Sequence, residues 1–224
     1  MKVPYLRESQ IEREAQVLLS QYCIAAGSEL SAPIPVEKLL EQHLRLSLGF
    51  DDLHARFGVP QGVDGPDVLG ALLVECREVL VHETLDPDTR PFEEGRFRFT
   101  LAHEVGHWQL HRNVIASGEG QLGLCDQPAP PIICLRSQAK ERHEWQADKF
   151  AAHLLMPAAL VSAVWRELHG NQRLIARTEE TLRSVIDPLA RRFNVSRSAM
   201  RIRCEQLQLL FRDKPAQPFL TVAS

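Results

Sequence analysis

Two polar doublets, each with a four-residue spacing and each set in a stretch otherwise patterned as buried helix, constrain this 224-residue chain more than any other feature. The first is His103 and His107, in Arg98-Phe-Thr-Leu-Ala-His-Glu-Val-Gly-His-Trp-Gln-Leu-His111. Around it Phe97, Leu101, Val105 and Trp108 trace an apolar stripe on a helix expected from about Phe92 to Arg112. The second is Glu144 and Asp148, in Glu144-Trp-Gln-Ala-Asp148, on a helix expected from about Ser137 to Leu155. Residues four apart sit one turn above each other, so both imidazoles can point at one spot about 2 Å from each nitrogen, which is metal-ligand geometry. Two imidazoles make an incomplete site, so a third ligand has to come from elsewhere in the chain. It does not come from the same helix. Position 113 is Asn, position 109 is Gln, and His111 stands eight residues on, about 12 Å from His103.

Glu144 supplies the missing group if the two helices lie side by side. Asp148 then falls on the same face one turn further, where a carboxylate accepts the outer N–H of a ligating histidine and fixes its tautomer. Glu104, directly after the first histidine, is placed to take a proton from a water on the metal and pass it to a leaving amine, which is peptide hydrolysis in outline. The competing reading makes Glu144 and Asp148 ordinary charges on a solvated helix face. The remaining histidines, His43, His54, His82, His143, His153 and His169, read as structural or surface groups.

Elsewhere the pattern is coarser. A helix is expected from about Ser9 to Ala26, stopped by Gly27, and another over Ile34 to His43 with Pro35 in its first turn. Residues 49 to 67, rich in Gly, Asp and Pro, read as an irregular connection. Leu69 to Cys76 and Glu78 to Thr84 read as an antiparallel hairpin turned near Arg77, whose second strand is a candidate for pairing with an extended substrate. Residues 113 to 136 read as a long surface loop, and a further helix is expected from about Ala158 to Leu168.

Composition, 44% apolar and 25% charged, is that of a soluble globular protein. No run approaches the roughly 18 apolar residues of a membrane span, and Met1 to Gln10 lacks the apolar core of a secretory signal, so a cytoplasmic address without a membrane partner is expected. The five cysteines, Cys23, Cys76, Cys125, Cys134 and Cys204, show no Cys-x-x-Cys spacing and read as free thiols, mostly buried. Cys125 or Cys134, between the two ligand-bearing stretches, could alternatively block the metal as a thiolate.

Together these stretches resemble the ImmA/IrrE family of metallo-endopeptidases. The matching pieces are Arg98 to His111, Glu144-Trp-Gln-Ala-Asp-Lys-Phe-Ala-Ala-His-Leu-Leu-Met-Pro157, more weakly Ile34 to Leu40, and Leu189-Ala-Arg-Arg-Phe-Asn-Val-Ser-Arg-Ser-Ala-Met-Arg-Ile-Arg203. The resemblance implies an α+β fold, a mostly helical zincin-like metallopeptidase core with a small antiparallel sheet in residues 1–170, followed by a helix-turn-helix-like segment in residues 171–224. It implies His103, His107 and Glu144 as ligands of Zn2+, with Mn2+ as the alternative, Glu104 as general base and Asp148 behind the ligands. It also implies a substrate, a helix-turn-helix repressor or comparable regulator such as an antitoxin. The oxyanion-stabilising residue stays open among Tyr22, His82, His143 and a groove arginine.

The tail is electrostatically distinct. From residue 171 onward ten Lys and Arg face five Asp and Glu, a net of +5, against a net of −8 in the preceding residues. Ile186 to Phe193, a turn at Asn194-Val195, and a helix capped by Ser196 read as helix, turn, helix. Arg191, Arg192, Arg197, Arg201 and Arg203 could meet DNA phosphates. Alternatively the segment packs on the core or docks substrate through Val195, Met200, Ile202 and Leu207, and packing is favoured, because a lone helix pair binds DNA weakly. Three functional classes follow: an endopeptidase, a DNA-binding transcriptional regulator with a structural or vestigial metal site, and a stress-response switch that waits for metal or a cofactor.

Overall fold

The computed structural model describes residues 3–60, 67–116, 132–136 and 141–212. Helix α1, Glu8–Ala26, buries Ile11, Ala15, Leu18 and Leu19 at the spacing the sequence requires, and ends where Gly27 turns left-handed at φ 60°. Helix α2, Val36–Lys38, begins just after Pro35 and widens into a π-helical turn over Leu39–His43, burying Val36, Leu39 and Leu40.

The stretch expected to be irregular is not. Ser47–Asp51 forms strand β1 and Leu53–Phe57 a short helix, α3, whose N-terminus is capped by Asp52 accepting from the His54 and Ala55 amides. The Asp and Gly residues that signal a loop here are a helix cap and the left-handed Gly58 at φ 65°. Strand β1 exists through pairing with a strand some thirty residues away, which local propensity does not register.

That partner belongs to the expected hairpin. Strand β2, Asp67–Leu73, and β3, Glu78–His82, pair antiparallel with Leu73 opposite Glu78, and the turn passes through Arg77 at φ 53°. Helix α4 follows at Glu94–Ala116, and Ile132–Arg136 forms strand β4. Two expectations change. The 113–136 loop is helix at its start and strand at its end, with residues 117–131 outside the described set. The sheet, in the order β1-β3-β2-β4, is mixed rather than antiparallel, because β1 runs parallel to β3. Since β3 is paired on both sides, it cannot receive a substrate strand. The outer strands among the described residues are β1 and β4.

Helix α4 lies between the sheet and α5, Arg142–Leu155. Its stripe of Phe97, Leu101, Val105 and Trp108 is buried. Gly106 brings the two helices close: a Cβ there would stand 3.1 Å from the Ala147 Cα and 3.2 Å from the Phe150 Cβ. After Met156-Pro157 come α6, Ala158–His169, strand β5, Leu174–Ala176, and α7, Glu179–Phe193. Asn194, left-handed at φ 51°, ends α7, and Ser196 caps α8, Arg197–Gln206, by accepting from the Ala199 amide. Strand β6, Leu210–Arg212, pairs parallel with β5.

Leu182, Ile186, Leu189, Phe193, Met200 and Cys204 join the same apolar core as Ile11, Leu101 and Phe150, so residues on both sides of position 170 share it. Two details depart from the expected packing of the tail. Ile202 is 46% exposed, and the basic Arg203 is buried instead, donating to the Met156 carbonyl at 3.0 Å and to Glu12 Oε1 at 2.7 Å. Of the described cysteines only Cys204 is buried, and burial pushes its thiol up to about 12. No single helix among the described residues is long and apolar enough to cross a membrane.

Candidate metal centre

The contact between α4 and α5 brings the two doublets together. His103 Nε2 stands 3.0 Å from His107 Nε2 and 3.2 Å from Glu144 Oε2, and His107 Nε2 is 3.5 Å from Glu144 Oε1. Donor atoms about 2 Å from a shared tetrahedral ion stand roughly 3.3 Å apart, so the separations suit a cation. Among the described residues these three form the one group of His, Cys, Asp or Glu whose donor atoms converge in this way, all within 4.8 Å of one another. Cys125 lies outside the described residues, as does the side chain of Cys134.

The protonation states also fit a cation. Asp148 Oδ1 lies 3.0 Å from His103 Nδ1, and a carboxylate only accepts, so Nδ1 carries the proton and Nε2 turns its lone pair toward the group. Burial holds His107 neutral, pushing it down to about 3. Burial also disfavours the ionised Glu144, but the adjacent His103, His107 and His143 rings outweigh it and hold this carboxyl well below the usual range. Two imidazole lone pairs and a carboxylate thus share a pocket in which His107 is fully buried and the Glu144 side chain only 13% exposed. A cation resolves that arrangement.

Glu104 is wholly buried, and neither of its carboxylate oxygens has a hydrogen-bond partner among the described residues. Burial pushes its carboxyl up to about 8, opposed by His103 and helped by the negative Glu144. Gly70 on β2 makes the room. A Cβ at that position would come within 2.6 Å of Glu104 Oε1 and 2.8 Å of Thr100 Cγ2. The strand is irregular at this point, with a register shift between Val68 and Gly70. A glycine interrupting a strand pattern was the available signal for such a close approach.

Of the four open choices for the oxyanion, one stands at the group. The His143 ring nitrogen Nε2 is 3.2 Å from Glu144 Oε1, with the His107 ring 5.9 Å away. Tyr22 packs edge-on against His43, and His82 pairs with the His54 ring and accepts from Thr84. His111 does not join the converging donors but stands directly behind one of them, its Nδ1 3.0 Å from His107 Nδ1. Distance from His103 alone had set it aside, whereas the four-residue spacing from His107 pointed to this contact.

Residues 89–205 match the family model described as IrrE N-terminal-like domain, a peptidase family. Eleven chains of solved structures match, among them a Mycobacterium tuberculosis transcriptional regulator at 18% identity and a TM-score of 0.45, over 95% of this chain and 59% of that one. The chain therefore spans about three-fifths of the length of that regulator. No curated protein matches.

Proposed function

The chain belongs to the IrrE N-terminal-like family of peptidases, and from that premise we propose that it is a metal-dependent endopeptidase that hydrolyses a peptide bond in a regulatory protein, a helix-turn-helix repressor or an antitoxin. The observation that carries this reading is the pairing of a converging His103, His107 and Glu144 with a buried, unpartnered Glu104. His103, His107 and Glu144 would hold Zn2+, with Mn2+ as the alternative because two imidazoles and a carboxylate suit both ions. The chemistry that a divalent cation would supply there is polarisation of the scissile carbonyl and acidification of a water for attack near neutral pH.

The chain's own residues do the rest. Glu104, buried next to His103, accepts the proton of the attacking water and delivers it to the leaving amine nitrogen. Asp148 accepts from His103 Nδ1 and holds that ring in the ligating tautomer. His143 is the group placed to donate toward a developing oxyanion. An extended substrate would lie along an outer strand, and β4 is the neighbour of β2, the strand that carries Gly70 beside Glu104.

The basic tail fits packing or substrate docking better than DNA reading. Arg203 is buried, Arg197 donates to Asp187 at 2.9 Å, and Arg201 donates to Glu205 at 2.9 Å, so three of its cations are already engaged. A substrate of this kind suits a cytoplasmic address.

The test is Glu104→Gln in the full chain loaded with zinc, incubated with a candidate repressor or antitoxin and followed by the appearance of fragments. Retained zinc uptake with turnover lowered about 10²–10⁴-fold is expected from the loss of a general base. Cleavage at the parent rate by this variant would sink the proposal.

A further inference from the structure

One set of buried polar contacts is left unused by the reaction outlined above, and it runs away from the metal group toward the N-terminal backbone. His107 Nδ1 lies 3.0 Å from His111 Nδ1, and His111 Nε2 lies 2.8 Å from Gln146 Oε1. Gln146 Nε2 in turn donates to the Pro4 carbonyl at 2.8 Å. His107, His111 and Gln146 are each at most 1% exposed, so water is a poor substitute partner for any of these bonds.

The polarity of the chain is set at its far end. A backbone carbonyl can only accept, so the Gln146 amide must turn its NH₂ to Pro4 and its oxygen to His111. That oxygen accepts, so His111 carries its proton on Nε2 and keeps Nδ1 as a lone pair. A lone pair on His111 Nδ1 requires His107 Nδ1 to be the donor. His107 is then left with its Nε2 lone pair facing His103 and Glu144. Reversing any one link reverses them all and sets the amide oxygen against the Pro4 oxygen.

Resting on the metal-site reading above, we propose that His111 and Gln146 are positioning residues that carry the polarity of the Pro4 carbonyl to His107 and hold this ligand in its metal-binding tautomer. Asp148 does the same for His103 with a single carboxylate. The two ligands are thus oriented by different means, one by a charge and one by a neutral relay anchored on the backbone ahead of α1. The relay adds no negative charge behind His107, where burial already disfavours ions.

The experiment measures Zn2+ affinity of the full chain by competition with a chromophoric chelator, for the parent, His111→Phe and Gln146→Leu, with circular dichroism to show that each is folded. Loss of a group that orients a ligand weakens metal binding about 10–100-fold, and that loss is expected for His111→Phe, with a smaller loss in the same direction for Gln146→Leu. In parallel, ¹⁵N-histidine correlation spectra of the zinc-loaded parent report the tautomers directly. The expected result is a protonated Nε2 and a bare Nδ1 on His111, giving way to a tautomer mixture in Gln146→Leu. A folded His111→Phe that binds zinc within twofold of the parent overturns the relay and leaves the metal site standing. So does a His111 protonated on Nδ1, which can be read even if His111→Phe fails to fold. A parent chain that takes up neither zinc nor manganese overturns the relay and the proposed function together.

Discussion

Helix α5 takes part in two polar clusters, one partly and one largely buried, and they are built on different rules. Against α1 and α8, acids meet permanent cations: Glu12 accepts from Arg203 at 2.7 Å, Glu8 from Lys149 at 3.0 Å, and His153 lies 3.4 Å from each carboxylate. Against α4, Glu144 meets imidazoles whose outer nitrogens are already engaged, and Glu104 has no hydrogen-bond partner among the described residues. The first cluster balances its charges internally and fastens α8 to α1. The second leaves lone pairs and a carboxylate pointing at a common spot, which costs stability unless a cation arrives. Polarity between helices alone does not distinguish structure from function: the first cluster pairs its acids with Arg203 and Lys149, whereas the second gathers a carboxylate and imidazole lone pairs.

Breaking the cluster of paired acids and cations should have the larger effect on folding. Arg203→Met leaves Glu12 and the Met156 carbonyl without their donor, and about 3 kcal/mol of stability should go, read as a lower midpoint in urea denaturation. Zinc affinity in this variant should stay at the parent level. A drop in zinc affinity as large as that of His107→Ala would show that the two clusters are not separable.

Loading the open cluster should stabilise the chain instead. At a free zinc concentration a hundredfold above its dissociation constant, linkage adds about 2.7 kcal/mol, which a chelator removes. His107→Ala should abolish the shift in melting temperature, and an unchanged shift would locate the bound ion elsewhere.

Gly70→Ala should trade against Glu104. The added methyl collides with the carboxylate, so stability should fall by about 1–3 kcal/mol and kcat should drop more than KM rises. An alanine variant with parent kinetics would mean that Glu104 tolerates displacement.

The smallest effects are in pH dependence, where Glu104 should differ in sign from Glu12 and His153 in the metal-free chain. Burial lowers His153 below its ordinary value, and Glu12, though burial opposes it, is lowered by Arg203 and His153. Groups with depressed folded pKa values stabilise above their unfolded values, near 6.5 and 4.5, and lose that contribution as pH falls. Glu104 is raised to about 8, so its contribution is present below 4.5 and is lost as pH climbs toward 8. Urea midpoints of metal-free Glu104→Gln should therefore decline less than those of the parent between pH 5 and 9, and His153→Gln should flatten the acid limb. Identical alkaline limbs in parent and Glu104→Gln would remove the burial argument for this carboxyl.

Much of the centre was legible because its parts repeat on the helical period. The stripe of Phe97, Leu101, Val105 and Trp108, the His103/His107 pair and the Glu144/Asp148 pair can all be placed on helix faces by counting. Strands β1 and β4 were not legible, because each is stabilised by pairing with a distant strand; β1 carries Gly49 and Asp51, and the short apolar run of β4 directly follows Pro130 and Pro131. Gly70 and His111 were visible as residues but not as parts of the site, since neither has a role until β2 and α5 close on α4.

The order of residues by itself determined which side chains share a helix face, where α1 begins and ends, where α7 stops and α8 starts, and that two doublets of suitable donors exist, since each follows from contacts within one helical turn. That α7 already begins at Glu179, seven residues before the apolar run at Ile186, and that α8 stops at Gln206 came from the structure. Only the tertiary structure decided that α4 and α5 pack closely enough at Gly106 for the doublets to meet, that Glu104 sits dry against Gly70, and that the Pro4 carbonyl orients His107 through His111 and Gln146. Those outcomes depend on distances between segments up to 142 residues apart, which are set by how the core packs.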